Sequence, residues 1–196
     1  MKNTFGSAVS VTIFGESHGA AIGVVVDALG ITRPTFEEYP NRREADTLVT
    51  FVPQNNEFRY SAQDLMDFFG KNPADNILLI NPDNPSGNFI PVEDICMLAD
   101  WCEKRGVRLI VDESFVDFSE GWEQNSLLSD KILECYPHML VMKSISKSYG
   151  VPGIRLGILC SADVEIISKI KKMVSIWNLN SFCEFFMQIY TKYEKD

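Results

Sequence analysis

The stretch Ser144-Ile145-Ser146-Lys147-Ser148-Tyr149-Gly150-Val151-Pro152-Gly153-Ile154-Arg155-Leu156-Gly157 sets one lysine among small hydroxyl side chains, with three glycines and an arginine after it. Just upstream lie His138 and the apolar run Met139-Leu140-Val141-Met142. Glycine permits positive φ and close backbone approach, so the spacing predicts a loop that carries Lys147 at the end of a buried strand. A primary amine there suits condensation with a carbonyl, and Arg155 with Ser144 suits a phosphate on the same compound. Pyridoxal phosphate (PLP) is the common cofactor of that description. Taken alone, the segment fits a solvated surface loop equally well.

Working outward toward the N-terminus, residues 107–111 form a predicted strand that ends in Asp112-Glu113-Ser114-Phe115. A carboxylate where a buried strand emerges is costly without a partner. A protonated ring nitrogen is one such partner; a helix cap or a salt bridge is another. Before this strand, Val92, Ile95, Leu98, Ala99 and Cys102 share one face of a predicted helix over 91–104, stopped by Gly106. Residues 76–80 form a wholly apolar strand of the buried parallel type. It turns sharply at Asn81-Pro82-Asp83-Asn84-Pro85-Ser86-Gly87. That turn is either ordinary or one that aims the Asn84 amide at a ligand. Ser61 is expected to cap a helix over 62–69 with Gly70 as its stop, residues 47–52 to form a strand, and residues 33–39 to lead into a helix.

Downstream, helices are expected over 125–135, from Ser161 or Asp163 through Val174, and last to about residue 192. A strand is expected over 156–160, and Trp177-Asn178-Leu179-Asn180 breaks the helix that runs through Val174 before the last one begins. Alternating strands and helices predict an α/β fold, a mostly parallel sheet with helices on both faces. Asn84, Asp112 and Lys147 then fall at the ends of successive strands, where open parallel sheets bind ligands.

Composition narrows the function class. With 196 residues the chain fits one domain, and a net charge of −9 argues against nucleic acid or anionic membrane as a main partner. No apolar run approaches the ~20 residues of a membrane span, and the first residues lack the plan of a signal peptide. The cysteines Cys96, Cys102, Cys135, Cys160 and Cys183 are scattered and odd in number, which suits thiols in a reducing, cytoplasmic setting. With His18 and His138 as the only histidines, a metal centre is not expected.

The first thirty residues stand apart. Val9 to Phe14 alternates like a strand, and a second apolar run covers residues 21–26. Between them, Gly15-Glu16-Ser17-His18-Gly19 is a turn whose histidine is either structural or an acid. Asn3-Thr4-Phe5-Gly6, residues 11–19 and residues 22–27 resemble the N-terminus of chorismate synthase, with Ala28 where that family has glycine. The resemblance implies reduced FMN as an alternative cofactor and His18 as the acid near it. It stops at Gly30, so residues 1–30 are expected to be a fragment joined to a second unit at 31–196.

From Pro34 onward the chain resembles fold-type I, PLP-dependent aminotransferases, in the branch of histidinol-phosphate aminotransferase and threonine-phosphate decarboxylase. Residues 34–39, the Asn-Pro turn from Asn81, Asp112-Glu113-Ser114-Phe115, the Ser144/Ser146/Lys147 cluster, Gly153/Arg155/Gly157 and the 177–180 segment carry it, in order and spacing. The resemblance implies that Lys147 forms the imine with the cofactor and shuttles the proton at the substrate Cα. Asp112 would pair with the pyridinium nitrogen, and Asn84 would approach the ring hydroxyl and the substrate carboxylate. Ser144 and Arg155 would bind the phosphate, and Asn180 would face the substrate. Phe115 stands where many relatives place a tyrosine that bonds the ring hydroxyl. Amino acid or amino acid phosphate and 2-oxo acid substrates, and a homodimer, are likewise implied. The family's glycine-rich phosphate loop, its ring-stacking aromatic and its small domain have no counterpart here. The chain is therefore expected to be an incomplete large domain of weakened activity, or an inactive fusion product.

Overall fold

A computed structural model describes residues 49–55, 57–174 and 178–193, together with the backbone of three short strands near the N-terminus. Those strands, β1 (Asn3–Phe5), β2 (Val11–Phe14) and β3 (Gly23–Val26), form an antiparallel sheet in the order β1-β2-β3. His18 and Trp177 lie outside the described residues, as does the stretch 33–39.

The second sheet positions the site. Its strands are β4 (Asn76–Ile80), β5 (Arg108–Asp112), β6 (Met139–Lys143) and β7 (Ile158–Cys160), in the order β4-β5-β6-β7. The first three run parallel, with Ile80 opposite Asp112 and Asp112 opposite Met142. β7 returns antiparallel to β6, pairing Lys143 with Ile158. The mostly parallel sheet expected from the sequence is therefore present, and the lysine segment is the connection that joins β6 to β7.

Side-chain alternation divides each strand between two layers. Ile77, Leu79, Leu109, Val111, Met139 and Val141 pack with α1 (Ala62–Lys71) and α2 (Val92–Glu103) on one face. Ile110 and Leu140 pack with Ile166 of α5 (Val164–Met173) on the other. Between β5 and β6 lies the short α3 (Asp130–Cys135), and after β6 comes one helical turn, α4 (Ile145–Ser148). The last helix is α6 (Ser181–Tyr193).

Helix starts follow the local chemistry. Ser61 and Asp64 form a reciprocal capping box at α1, and Asp163 accepts the Glu165 and Ile166 amides at 3.0 Å to open α5. Four expectations are corrected. Gly70 does not stop α1; Asn72 does, its backbone and side-chain N–H groups both donating to the Phe68 carbonyl, just before Pro73. Residues 49–52 form no strand, because Phe51 enters an aromatic cluster with Tyr60 and Phe68 instead of a ladder. Residues 125–129 are not helical, since Ser126 and Leu127 turn their donors toward the Glu113 carboxylate. Finally, Lys147 sits on the turn α4 rather than in open loop.

Candidate active site

The parallel ladder continues past the strand ends. The Asn81 amide donates to the Asp112 carbonyl and the Glu113 amide to the Met142 carbonyl, each at 2.9 Å. This extension brings the Asn81 turn, the Asp112 turn and the lysine segment to one edge of the sheet. Asn81 is buried there, spanning its own turn with a bond from Nδ2 to the Ile90 carbonyl (2.9 Å) and one from the Ile90 amide (2.8 Å).

At the centre, Asp112 Oδ1 accepts the Ser114 amide (2.9 Å) and the Ser114 hydroxyl (2.5 Å). Among the described residues, Oδ2 takes part in no hydrogen bond or ion pair. Neither sequence alternative, a helix cap or a salt bridge, accounts for this carboxylate. The Ser114 hydroxyl also accepts the Ser144 amide at 3.0 Å, which ties the Asp112 turn to the start of α4. From α4, the exposed Lys147 places Nζ 4.3 Å from the centre of the Phe115 ring. The amine and the Asp112 turn therefore meet at one edge, joined through Phe115 on one side and through Ser114 and Ser144 on the other.

The lysine segment owes its shape to a side chain that spacing alone does not single out. Buried Ser146 donates from its backbone amide (3.1 Å) and its hydroxyl (3.0 Å) to the Leu156 carbonyl, and its Oγ accepts the Leu156 amide at 2.5 Å. The loop is thereby closed on itself. At Gly157 a Cβ would lie 3.2 Å from the Lys143 carbonyl oxygen, so glycine permits the approach of β7 to β6. Arg155, with φ 58°, is a non-glycine residue in the left-handed region, and its side chain is exposed. Strain of this kind is costly and concentrates at functional positions.

A second tie was also missed from sequence. Asp117 accepts Lys143 Nζ at 2.7 Å and the Ser148 hydroxyl, linking the turn after β5 to the end of β6 and to the last residue of α4. Glu113 is 1% exposed and is held by the Ser126 hydroxyl (2.7 Å) and the Leu127 amide (2.8 Å). Burial pushes its carboxyl above the ordinary range, and those two hydrogen bonds pull part of the way back. The available signals were two adjacent carboxylates at a strand end and three serines flanking one lysine.

The residues divide by whether their polar ends are in use. Ser146, Ser148, Lys143, Asp117 and Glu113 are engaged within the protein. Among the described residues, the side-chain polar ends of Asn84, Ser144 and Arg155 make no hydrogen bond or ion pair, and Lys147 Nζ has only the Phe115 ring. An amine, an amide, a hydroxyl and a guanidinium free to donate, with a carboxylate oxygen free to accept, chemically suit the aldehyde, ring and phosphate of PLP. Asn180 differs: its Nδ2 donates to the Ile154 carbonyl (2.7 Å) and its Oδ1 accepts the Cys183 amide (2.9 Å) at the start of α6.

A family model described as aminotransferase class I and II matches residues 14–189. The chain belongs to that family. The L-serine phosphate decarboxylase of Sulfurospirillum multivorans is 29% identical over 173 residues, covering 85% of this chain and 43% of that protein. The histidinol-phosphate aminotransferase of Christiangramia forsetii is 36% identical over 108 residues, covering 55% of this chain and 28% of that protein. Among solved structures, a decarboxylase from Sulfurospirillum multivorans aligns with a TM-score of 0.63 at 26% identity, covering 78% of this chain and 43% of that one. The chain thus spans less than half the length of these relatives. The family is PLP-dependent, and the mostly parallel sheet with helices is that of the PLP-dependent transferase fold. The match from residue 14 enters the segment that resembled chorismate synthase, and these findings give that resemblance and its FMN no support.

Proposed function

We propose that residues 31–196 provide the PLP-binding edge of an enzyme that acts on an amino acid or an amino acid phosphate, with a 2-oxo acid as the partner substrate where the reaction is a transamination. The observation that carries this reading is the meeting of the Lys147 amine and the Asp112 turn at one sheet edge, each with a free polar end. When bound, PLP supplies an aldehyde that condenses with amines and a ring that takes up the electron pair left at the substrate Cα.

The chain's own residues have these parts. Lys147 Nζ would hold the cofactor at its carbonyl carbon and, once the substrate amine has taken that place, would carry the proton between the substrate Cα and the cofactor carbon that transamination requires. Asp112 Oδ2 accepts the ring N–H, its orientation fixed through Oδ1. Phe115 forms an apolar wall, Ser144 Oγ and Arg155 hold the phosphate, and the Asn84 amide donates to the ring oxygen or the substrate carboxylate. Asn180 orders the start of α6 and keeps one N–H for the substrate. A second copy across a homodimer would contribute to the same pocket.

Adding PLP to the purified chain is expected to give a visible absorption band that Lys147→Ala abolishes, and retention that Asp112→Asn weakens. A chain that shows no such band at saturating PLP contradicts the reading. With the band in hand, product analysis on an amino acid phosphate separates the reactions, since decarboxylation releases carbon dioxide and transamination leaves a 2-oxo acid.

A further inference from the structure

Ser114 is 6% exposed and uses its hydroxyl in both senses. It donates to Asp112 Oδ1 at 2.5 Å and accepts the Ser144 amide at 3.0 Å, while its own amide donates to the same Oδ1 at 2.9 Å. A serine hydroxyl has one hydrogen to give and lone pairs to receive, so both bonds form at once. Two donors on Oδ1 fix the rotation of the carboxylate and leave Oδ2 as its open acceptor. At the other end, the accepted N–H belongs to Ser144, which caps the turn that carries Lys147. One oxygen atom therefore spans the two groups whose separation the chemistry depends on. The Asp117 tie holds α4 as well, but it reaches Lys143 and Ser148 and leaves Asp112 alone.

We propose that Ser114 is a positioning residue, which keeps the Asp112 carboxylate and the Lys147 turn in one register for PLP. The inference rests on the function proposed above. Alanine at this position keeps the backbone frame and the amide bond to Oδ1 and removes the link. The carboxylate then gains rotational freedom, and its pairing with the ring nitrogen slackens.

The test is PLP titration of the full chain, with the Lys147-dependent visible band followed across pH. Ser114→Ala is expected to retain PLP about tenfold less tightly, the scale of one hydrogen bond to a charged group. The pH midpoint of its band is expected to move upward, because a ring nitrogen held less firmly draws less charge from the chromophore. Ser114→Thr, which keeps the hydroxyl, is expected to restore both. An unmoved midpoint in Ser114→Ala overturns the inference, whether or not retention falls, and so does a moved midpoint that threonine leaves uncorrected. Should the alanine variant fail to melt cooperatively, Ser114→Cys, a weak donor of similar size, takes its place with the same directions expected. Absence of any Lys147-dependent band in the wild type brings down the proposed function and this inference together. A wild-type band with an unshifted Ser114→Ala midpoint brings down the inference alone.

Discussion

The two edges of the parallel sheet are built differently. Where β4 and β5 begin, Phe69, Pro73, Ile77, Trp101 and Val107 line a groove, and Arg105 lies over the Trp101 ring at 4.1 Å. Its guanidinium also donates to the Trp101 carbonyl, within its own helical turn. Where the strands end, polar side chains reach across elements 26 to 31 positions apart: Lys143 to Asp117, Ser144 to Ser114, Ser148 to Asp117. The first edge combines that apolar groove and its stacked cation with the Arg108–Asp163 ion pair (3.8 Å) and the His138 amide donating to the Glu103 carboxylate (2.9 Å). These contacts engage those groups within the protein rather than leaving them free for a ligand. The second is a network whose inner members are satisfied and whose outer members have capacity to spare. Burying polar groups is worth its desolvation cost where they hold something in place.

Three changes probe that contrast, from the largest expected effect down. Leu109→Ala opens the core that both edges share and is expected to cost about 2–5 kcal/mol in chemical denaturation. A loss well under 1 kcal/mol would mean that the β5 layer is not the core. Glu113→Ala acts at the strand-end edge alone. It strips the Ser126 hydroxyl and Leu127 amide of their acceptor and is expected to cost about 1–3 kcal/mol. Arg105→Ala, at the groove, loses a cation–π contact at an exposed site and is expected to cost about 0.5–1 kcal/mol, with PLP retention unchanged. A fall in PLP retention in that variant would erase the distinction between the edges.

Glu113 adds a pH signature. Burial raises its folded-state pKa above the ordinary 4.5, so the folded chain holds a proton over a range where the unfolded chain has released it. The stability that this proton linkage contributes is present in acid, declines as pH rises from about 4.5 through the folded midpoint, and is gone above it. Denaturation midpoints across that range should show the decline in the wild type and lose it in Glu113→Gln.

Much of this architecture was legible in the chain. The strand Asn76–Ile80 and the helix Val92–Glu103 announce themselves through an apolar run and a one-face repeat, which are local signals. Two of the failures occurred where a distant partner decides. Phe51 left a strand-like run for the rings of Tyr60 and Phe68, and Ser126 and Leu127 left a helix-like run for a carboxylate 13 and 14 residues away. The site shows the same division. Lys147, Asp112, Asn84, Ser144 and Arg155 stand out through residue type and position after strands. Ser114, Ser146 and Asp117 act through contacts that no periodicity encodes.

The most direct test of the central claim is to treat the PLP-loaded chain with borohydride and map the trapped pyridoxyl group by mass spectrometry. The label is expected on Lys147 alone, and in Asp112→Asn it should be markedly weaker. Label spread over Lys169, Lys171 and Lys172 of α5, with none on Lys147, would contradict the account.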